Sequence, residues 1–128
     1  MANEKVNTDV DVTQPLIGYD GQALADPKMG PDGKPIRGED GHPVMEPVQF
    51  RTVACIALDQ VGKLDADRNM DPKEKMLAYR IAHRIATEDR VTFKSEELVF
   101  LEKRIGVTFP MNVVGATAMI INPGQVEA

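Results

Sequence analysis

Residues 30–45 read GPDGKPIRGEDGHPVM, and the second half restates the first: GPDGKPIR over 30–37, then GEDGHPVM over 38–45. Asp-Gly occurs at Asp20-Gly21, Asp32-Gly33 and Asp40-Gly41, and such a pair suits a tight turn because both residues tolerate positive φ. The intervening Lys34-Pro35-Ile36-Arg37 and His42-Pro43-Val44-Met45 then read as two short extended segments around the GEDG turn, a short β-hairpin. Pro35 and Pro43 lack an N–H, which holds such segments to an edge or makes their ladder irregular. Calcium is the competing reading of Asp beside Gly. It needs about six or more oxygens converging on one point, and these spacings do not impose that.

Outward from this stretch, Pro15 to Pro47 carries six of the nine prolines and six of the ten glycines, a density that excludes a helix. Residues 1–14 are polar and aperiodic. Residues 1–46 therefore read as a flexible, Gly/Pro-rich arm with Asp-Gly turns, 47–124 as a helical domain and 125–128 as a tail.

Helical periodicity begins at Pro47. Phe50, Val53, Ala54, Ala57, Leu58 and Val61 share one face, and Gly62 supplies the stop. Asp65, Asp67, Asn69 and Asp71 mimic the start of an EF-hand loop. The places that should hold the turn glycine and the bidentate Glu hold Met70 and Met76, so that reading fails. Asp71-Pro72-Lys73-Glu74 instead opens a helix with Asp71 as N-cap and Pro72 at the first position. Along it Leu77, Ala78, Ile81, Ala82 and Ile85 form an apolar face, and Lys73, Arg80 and Arg84 a basic stripe with His83 on its shoulder. Ser95 to Ile105 has acidic residues first, basic residues last and Gly106 after. Leu98, Leu101 and Ile105 share its buried side, whereas Phe100 falls among Glu96, Lys103 and Arg104 and is a candidate partner contact. Residues 111–121, MNVVGATAMII, are apolar nearly all round, as in a central helix or one shared with another subunit. The repeated Val-Thr-Phe at 91–93 and 107–109 reads as two connectors whose Phe packs inward. The expected fold is mainly α: a small bundle of about four helices preceded by a turn-rich extended arm.

The net charge of −5 divides as −5 over residues 1–62, +2 over 63–94 and −2 over 95–128. Only the middle segment could attract an acidic partner or a nucleic acid, and overall acidity with few aromatics argues against the latter. One cysteine, Cys55, excludes an internal disulfide and fits a reducing compartment. The start of the chain has no apolar run resembling a signal peptide. No stretch reaches the roughly 20 apolar residues that span a bilayer.

The order EKMLAYRIAHRI, VTFKSEELVFLEKRIG, Pro and VVGATAMII resembles a family of small proteins of tailed bacteriophages and prophages. The matching positions are Glu74, Lys75, Tyr79, Ile81, Ala82 and Ile85; Glu96, Glu97, Ile105 and Gly106; and Val113, Val114 and Gly115, within about Gly33 to Ile121. The doubled GxDGxP arm, and Lys94 where relatives often carry Thr, are departures. The resemblance implies a context: the cytoplasm of an infected bacterial host, or the virion itself.

Two His, one Cys and scattered carboxylates give no nucleophile with its base, no metal-ligand spacing and no phosphate loop. The expectation is a protein that is not an enzyme and needs no cofactor or metal. It acts by protein–protein interaction in virion assembly or as a virion accessory; the alternative is an early protein that binds and modulates a host protein. Candidate partner contacts are Lys73, Arg80, Arg84, Phe100, Ile36 and Val44. The C-terminal apolar helix offers a route to a homo-oligomer.

Overall fold

The structure, a computed structural model, describes residues 8–121; residues 122–124 of the expected helical domain, the tail 125–128 and residues 1–7 of the arm lie outside the described residues. Strand β1 (Thr8–Asp11) is followed by β2 (Ala25–Pro27), β3 (Met45–Pro47) and helix α1 (Phe50–Asp59). After a 3-10 turn at Asp65–Asp67 come α2 (Pro72–Thr87), β4 (Arg90–Phe93), α3 (Ser95–Thr108) and α4 (Met111–Ile121). The mainly α expectation is overturned: four helices are combined with two antiparallel two-stranded sheets, β1–β4 and β2–β3, in an α+β mix.

The first sheet explains the correction. Residues 8–11 pair with 90–93 in the register Val10↔Val91 and Thr8↔Phe93. Val10, Val91 and Phe93 are buried, and Asp9 and Thr92 are exposed, the alternation of a half-buried strand. Val91-Thr-Phe93 is thus a strand and not a connector, and residues 107–109 close α3 and cap its end. Val12 and Leu16 are fully buried beside Phe50, Ile81, Ile85, Leu101 and Ile105 in one core.

The N-terminal segment also caps α1. Gln49 gives that helix no side-chain cap; instead Phe50 N–H donates to the Gln14 carbonyl at 2.9 Å and Arg51 N–H to the Val12 carbonyl at 2.8 Å. Main-chain acceptors thereby satisfy donors that a helix start leaves orphaned. From the same end of α1, the Arg51 side chain holds the close of α2, donating from Nε to the Ile85 carbonyl at 2.8 Å and from Nη2 to the Glu88 carbonyl at 2.7 Å. Asp71 caps α2 by accepting from Lys73 N–H at 2.9 Å, with Pro72 at the first position.

A buried ion pair ties the 3-10 turn to α3. Arg104 donates to both carboxylate oxygens of Asp67, at 2.8 and 2.7 Å, and both residues are almost fully enclosed. Asp67 also accepts from Gly62 N–H at 3.0 Å. The acid within the false EF-hand is therefore spent on an arginine, and its carboxyl is held below the usual carboxylate range chiefly by the Arg104 hydrogen bonds.

Candidate functional site

Between Pro15 and Gln49 the chain forms two three-way junctions of backbone. In the first, Leu16 N–H donates to the Val48 carbonyl (2.9 Å), Val48 N–H to Leu24 (2.8 Å) and Leu24 N–H to Leu16 (2.9 Å), closing a ring. In the second, Lys28 N–H donates to Val44 (2.7 Å), Val44 N–H to Ile36 (2.8 Å) and Ile36 N–H to Lys28 (2.8 Å). Each junction sends out three antiparallel ribbons. From the first they run through Ile17↔Ala23, Ala25↔Pro47 and Pro15↔Gln49; from the second through Met29↔Pro35, Arg37↔Pro43 and Pro27↔Met45. The β2–β3 ribbon is common to both, so the second junction hangs from the first.

Proline places the junctions. Five of the six ring residues follow a proline (Pro15, Pro27, Pro35, Pro43, Pro47); Ala23 stands before the sixth, Leu24. In the ribbon through Met29↔Pro35 the bonds come from the neighbours, Gly30 N–H to the Lys34 carbonyl and Ile36 N–H to the Lys28 carbonyl. The proline therefore sits where an N–H is not needed. The irregular ladder expected at Pro35 and Pro43 takes the form of isolated bridges around a ring.

Three ribbons end in one turn used three times, at 18–22, 30–34 and 38–42. In each, the fourth residue's N–H donates to the first glycine's carbonyl at 3.0 Å, and the first glycine's N–H donates to the fifth residue's carbonyl at 2.8–2.9 Å. The Asp Oδ1 accepts the fifth residue's N–H at 3.0 Å. Only the second glycine has positive φ, 81° at Gly21, 78° at Gly33 and 81° at Gly41. The aspartate acts by its carboxylate, a side-chain mimic of a turn, and not by its backbone freedom. The repeat is threefold, and the copy at 18–22 differs in that Ala23 replaces the proline that follows the other two.

The junctions differ in what they bury. Leu16 is fully enclosed and Leu24 and Val48 are half-buried against the core. In the second junction Lys28 is exposed, Ile36 and Val44 keep 38% of their surface, and the flanking Met29 and Met45 keep 53%. Outside the core the second junction thus leaves four large apolar side chains exposed, Ile36 and Val44 at ring positions and Met29 and Met45 at positions next to the ring.

The other candidate contacts are dispersed. Lys73 and Arg80 lie exposed on α2. Arg84 is engaged: Nη2 pairs with Glu97, Nη1 donates to the Thr92 carbonyl at 3.0 Å, and the guanidinium lies 5.7 Å from the Phe93 ring centre. It joins α2, β4 and α3. Burial pushes the Glu97 carboxyl up, but the Lys94 N–H and the Arg84 guanidinium outweigh it and hold that group below its ordinary range. Phe100 is half-buried and packs against the core. Burial raises the Cys55 thiol against the opposing charge of Arg51, which keeps it protonated at neutral pH. Among the described residues no group of three or more His, Cys, Asp or Glu is placed to hold a metal, and no helix is long and apolar enough to cross a membrane. The chain matches no protein-family model, no curated protein and no solved structure.

Proposed function

We propose that the protein acts by protein–protein contact, through the second three-way junction, in the assembly or accessory machinery of a phage particle. One observation carries this reading: a closed ring of backbone hydrogen bonds holds Ile36 and Val44 half-exposed outside the core. Apolar surface held by a closed ring of backbone bonds loses little freedom on binding. The phage context rests on the resemblance of the helical segments.

The test is photocrosslinking in cells that produce the particle, with p-benzoylphenylalanine at Ile36 and, as control, at exposed Glu88 of the helical body. The reading predicts one discrete adduct with a phage structural protein from position 36 and none from 88. A ladder of unrelated adducts, or equal labelling from both positions, contradicts it.

A further inference from the structure

The three Asp-Gly pairs carry a covalent chemistry apart from turn-making. In an unstructured chain the glycine nitrogen, with no side chain to hinder its approach, attacks the aspartate Cγ. A C–N bond forms, the N–H proton leaves with the carboxyl OH as water, and a five-membered succinimide results. Water then adds to either ring carbonyl. Addition at the main-chain carbonyl leaves the backbone running through the side-chain carbonyl, as isoaspartate; addition at the other restores aspartate. Asp26 and Asp71 precede prolines, whose nitrogen has no proton to give, and no Asn-Gly pair occurs in the chain.

In each turn both reacting groups are engaged elsewhere. At 30–34 the Gly33 N–H donates to the Gly30 carbonyl at 3.0 Å, and Asp32 Oδ1 accepts from the Lys34 N–H at 3.0 Å. Attack requires the turn to open, so its rate follows the population of the open turn. The three turns differ in what opposes opening. The turn at 18–22 grows from Leu16, in the core, and Leu24, packed against it. The turn at 38–42 has a clasp: Arg37, the residue before its first glycine, donates from Nη1 to the Gly41 carbonyl at 2.9 Å. Ile17 and Met29 hold the equivalent places in the other two turns, and neither side chain has an N–H. The turn at 30–34 has neither the clasp nor a buried base, and residues 31–37 are all exposed.

From this geometry we infer that Asp32-Gly33 is a site of covalent modification: Asp32 is the aspartate that converts to isoaspartate first as the folded protein ages, ahead of Asp40 and Asp20. Isoaspartate adds one carbon to the main chain and moves the free carboxylate off the side chain. The Oδ1 contact to Lys34 N–H is then lost from the turn, and the change falls on the second junction, away from the buried core.

The test holds the full chain at physiological temperature for weeks, folded in one sample and unfolded in guanidinium in another. Trypsin separates the three pairs into residues 6–28, 29–37 and 38–51, and electron-transfer fragmentation, which distinguishes the two isomers, reads each. In the unfolded chain all three should convert at comparable rates. In the folded protein all should be slower, with Asp32 about fivefold ahead of Asp40, the ratio that one net hydrogen bond sets. Arg37→Ala should bring Asp40 up to the rate of Asp32 and leave Asp20 unchanged, the same fragments resolving both sites in the fused peptide 29–51. Arg37 is exposed, and a melting curve checks that the variant keeps its fold. Conversion led by Asp20 or Asp40, equal rates at all three in the folded protein, or an Asp40 rate indifferent to Arg37→Ala overturns the inference. So does an Asp32 that reacts as fast folded as unfolded, or one that stays unconverted while the unfolded chain reacts to completion.

Discussion

The two three-way junctions have the same backbone and opposite surroundings. In the first, the ring residues Leu16, Leu24 and Val48 face the core, and the ribbon through Pro15 and Gln49 runs directly into α1. In the second, the ring residues Lys28, Ile36 and Val44 face solvent, and among the described residues the ladder that joins it to the body is the three-residue ribbon β2–β3. Identical hydrogen bonding with such different burial separates what local chemistry supplies from what packing supplies. Turn glycines, Asx carboxylates and prolines are enough to shape a junction; apolar burial decides whether the rest of the protein depends on it.

The sharpest way to break that comparison is to truncate one ring residue in each junction. Leu16→Ala removes a fully buried side chain and should cost about 2–5 kcal/mol in chemical denaturation. Ile36→Ala should change global stability by no more than about 0.5–1 kcal/mol, the range of a surface position. Equal losses would show that the second junction folds as part of the core.

Acid provides the next test. The Asp67 carboxyl is depressed by Arg104, and its contribution belongs to the helical body. A depressed folded-state value means stability fully present above the unfolded carboxylate value of about 3.9 and lost as pH falls through the folded one. The melting temperature of the body should fall below about pH 4, and Asp67→Asn should remove part of that dependence while lowering stability at neutral pH. A pH profile unchanged by Asp67→Asn would remove Asp67 as a contributor to that dependence.

The smallest effect lies in the ribbon between the junctions. Asp26 and Glu46 are cross-strand partners of like charge. Asp26→Lys should gain about 0.2–1 kcal/mol locally, seen as slower amide exchange in β2 and β3 with little change in the global melt. A matching rise in the global melt would mean that the ribbon carries stability to both junctions.

The helices were legible because ten or more residues repeat their apolar face often enough to be counted. Asp71 was legible as a cap because its signal is local. The strands were harder, although Asp9-Val10-Asp11-Val12 and Arg90-Val91-Thr92-Phe93 do alternate. Four residues are too few for a period, and the pairing partner lies about eighty residues away. The turn chemistry of residues 30–45 was readable, and a hairpin there was a fair local description. What turned hairpins into rings was closure between Lys28 and Val44 and between Leu16 and Val48, contacts between segments that no local motif encodes. Ile36 and Val44 were found as candidate contacts because apolar residues inside a turn-rich stretch have no helical face to join. Arg104 was misplaced among solvent-facing residues because its partner Asp67 lies 37 residues upstream.

The central claim is that the second junction is a self-contained projection that the fold can lose. The ribbon pair Pro27↔Met45 occupies the place that Ile17↔Ala23 holds below the first turn. Residues 28–44 can therefore be replaced by a copy of residues 18–22, Gly-Tyr-Asp-Gly-Gln, to close β2 onto β3 directly. The decisive measurement is the thermal unfolding of that variant followed by far-ultraviolet circular dichroism. A single cooperative transition within about 4–8 °C of the parent, the shift that ~1 kcal/mol produces in a domain near this size, is the predicted result. A broad, non-cooperative melt or loss of helical signal at the start of the scan would contradict it.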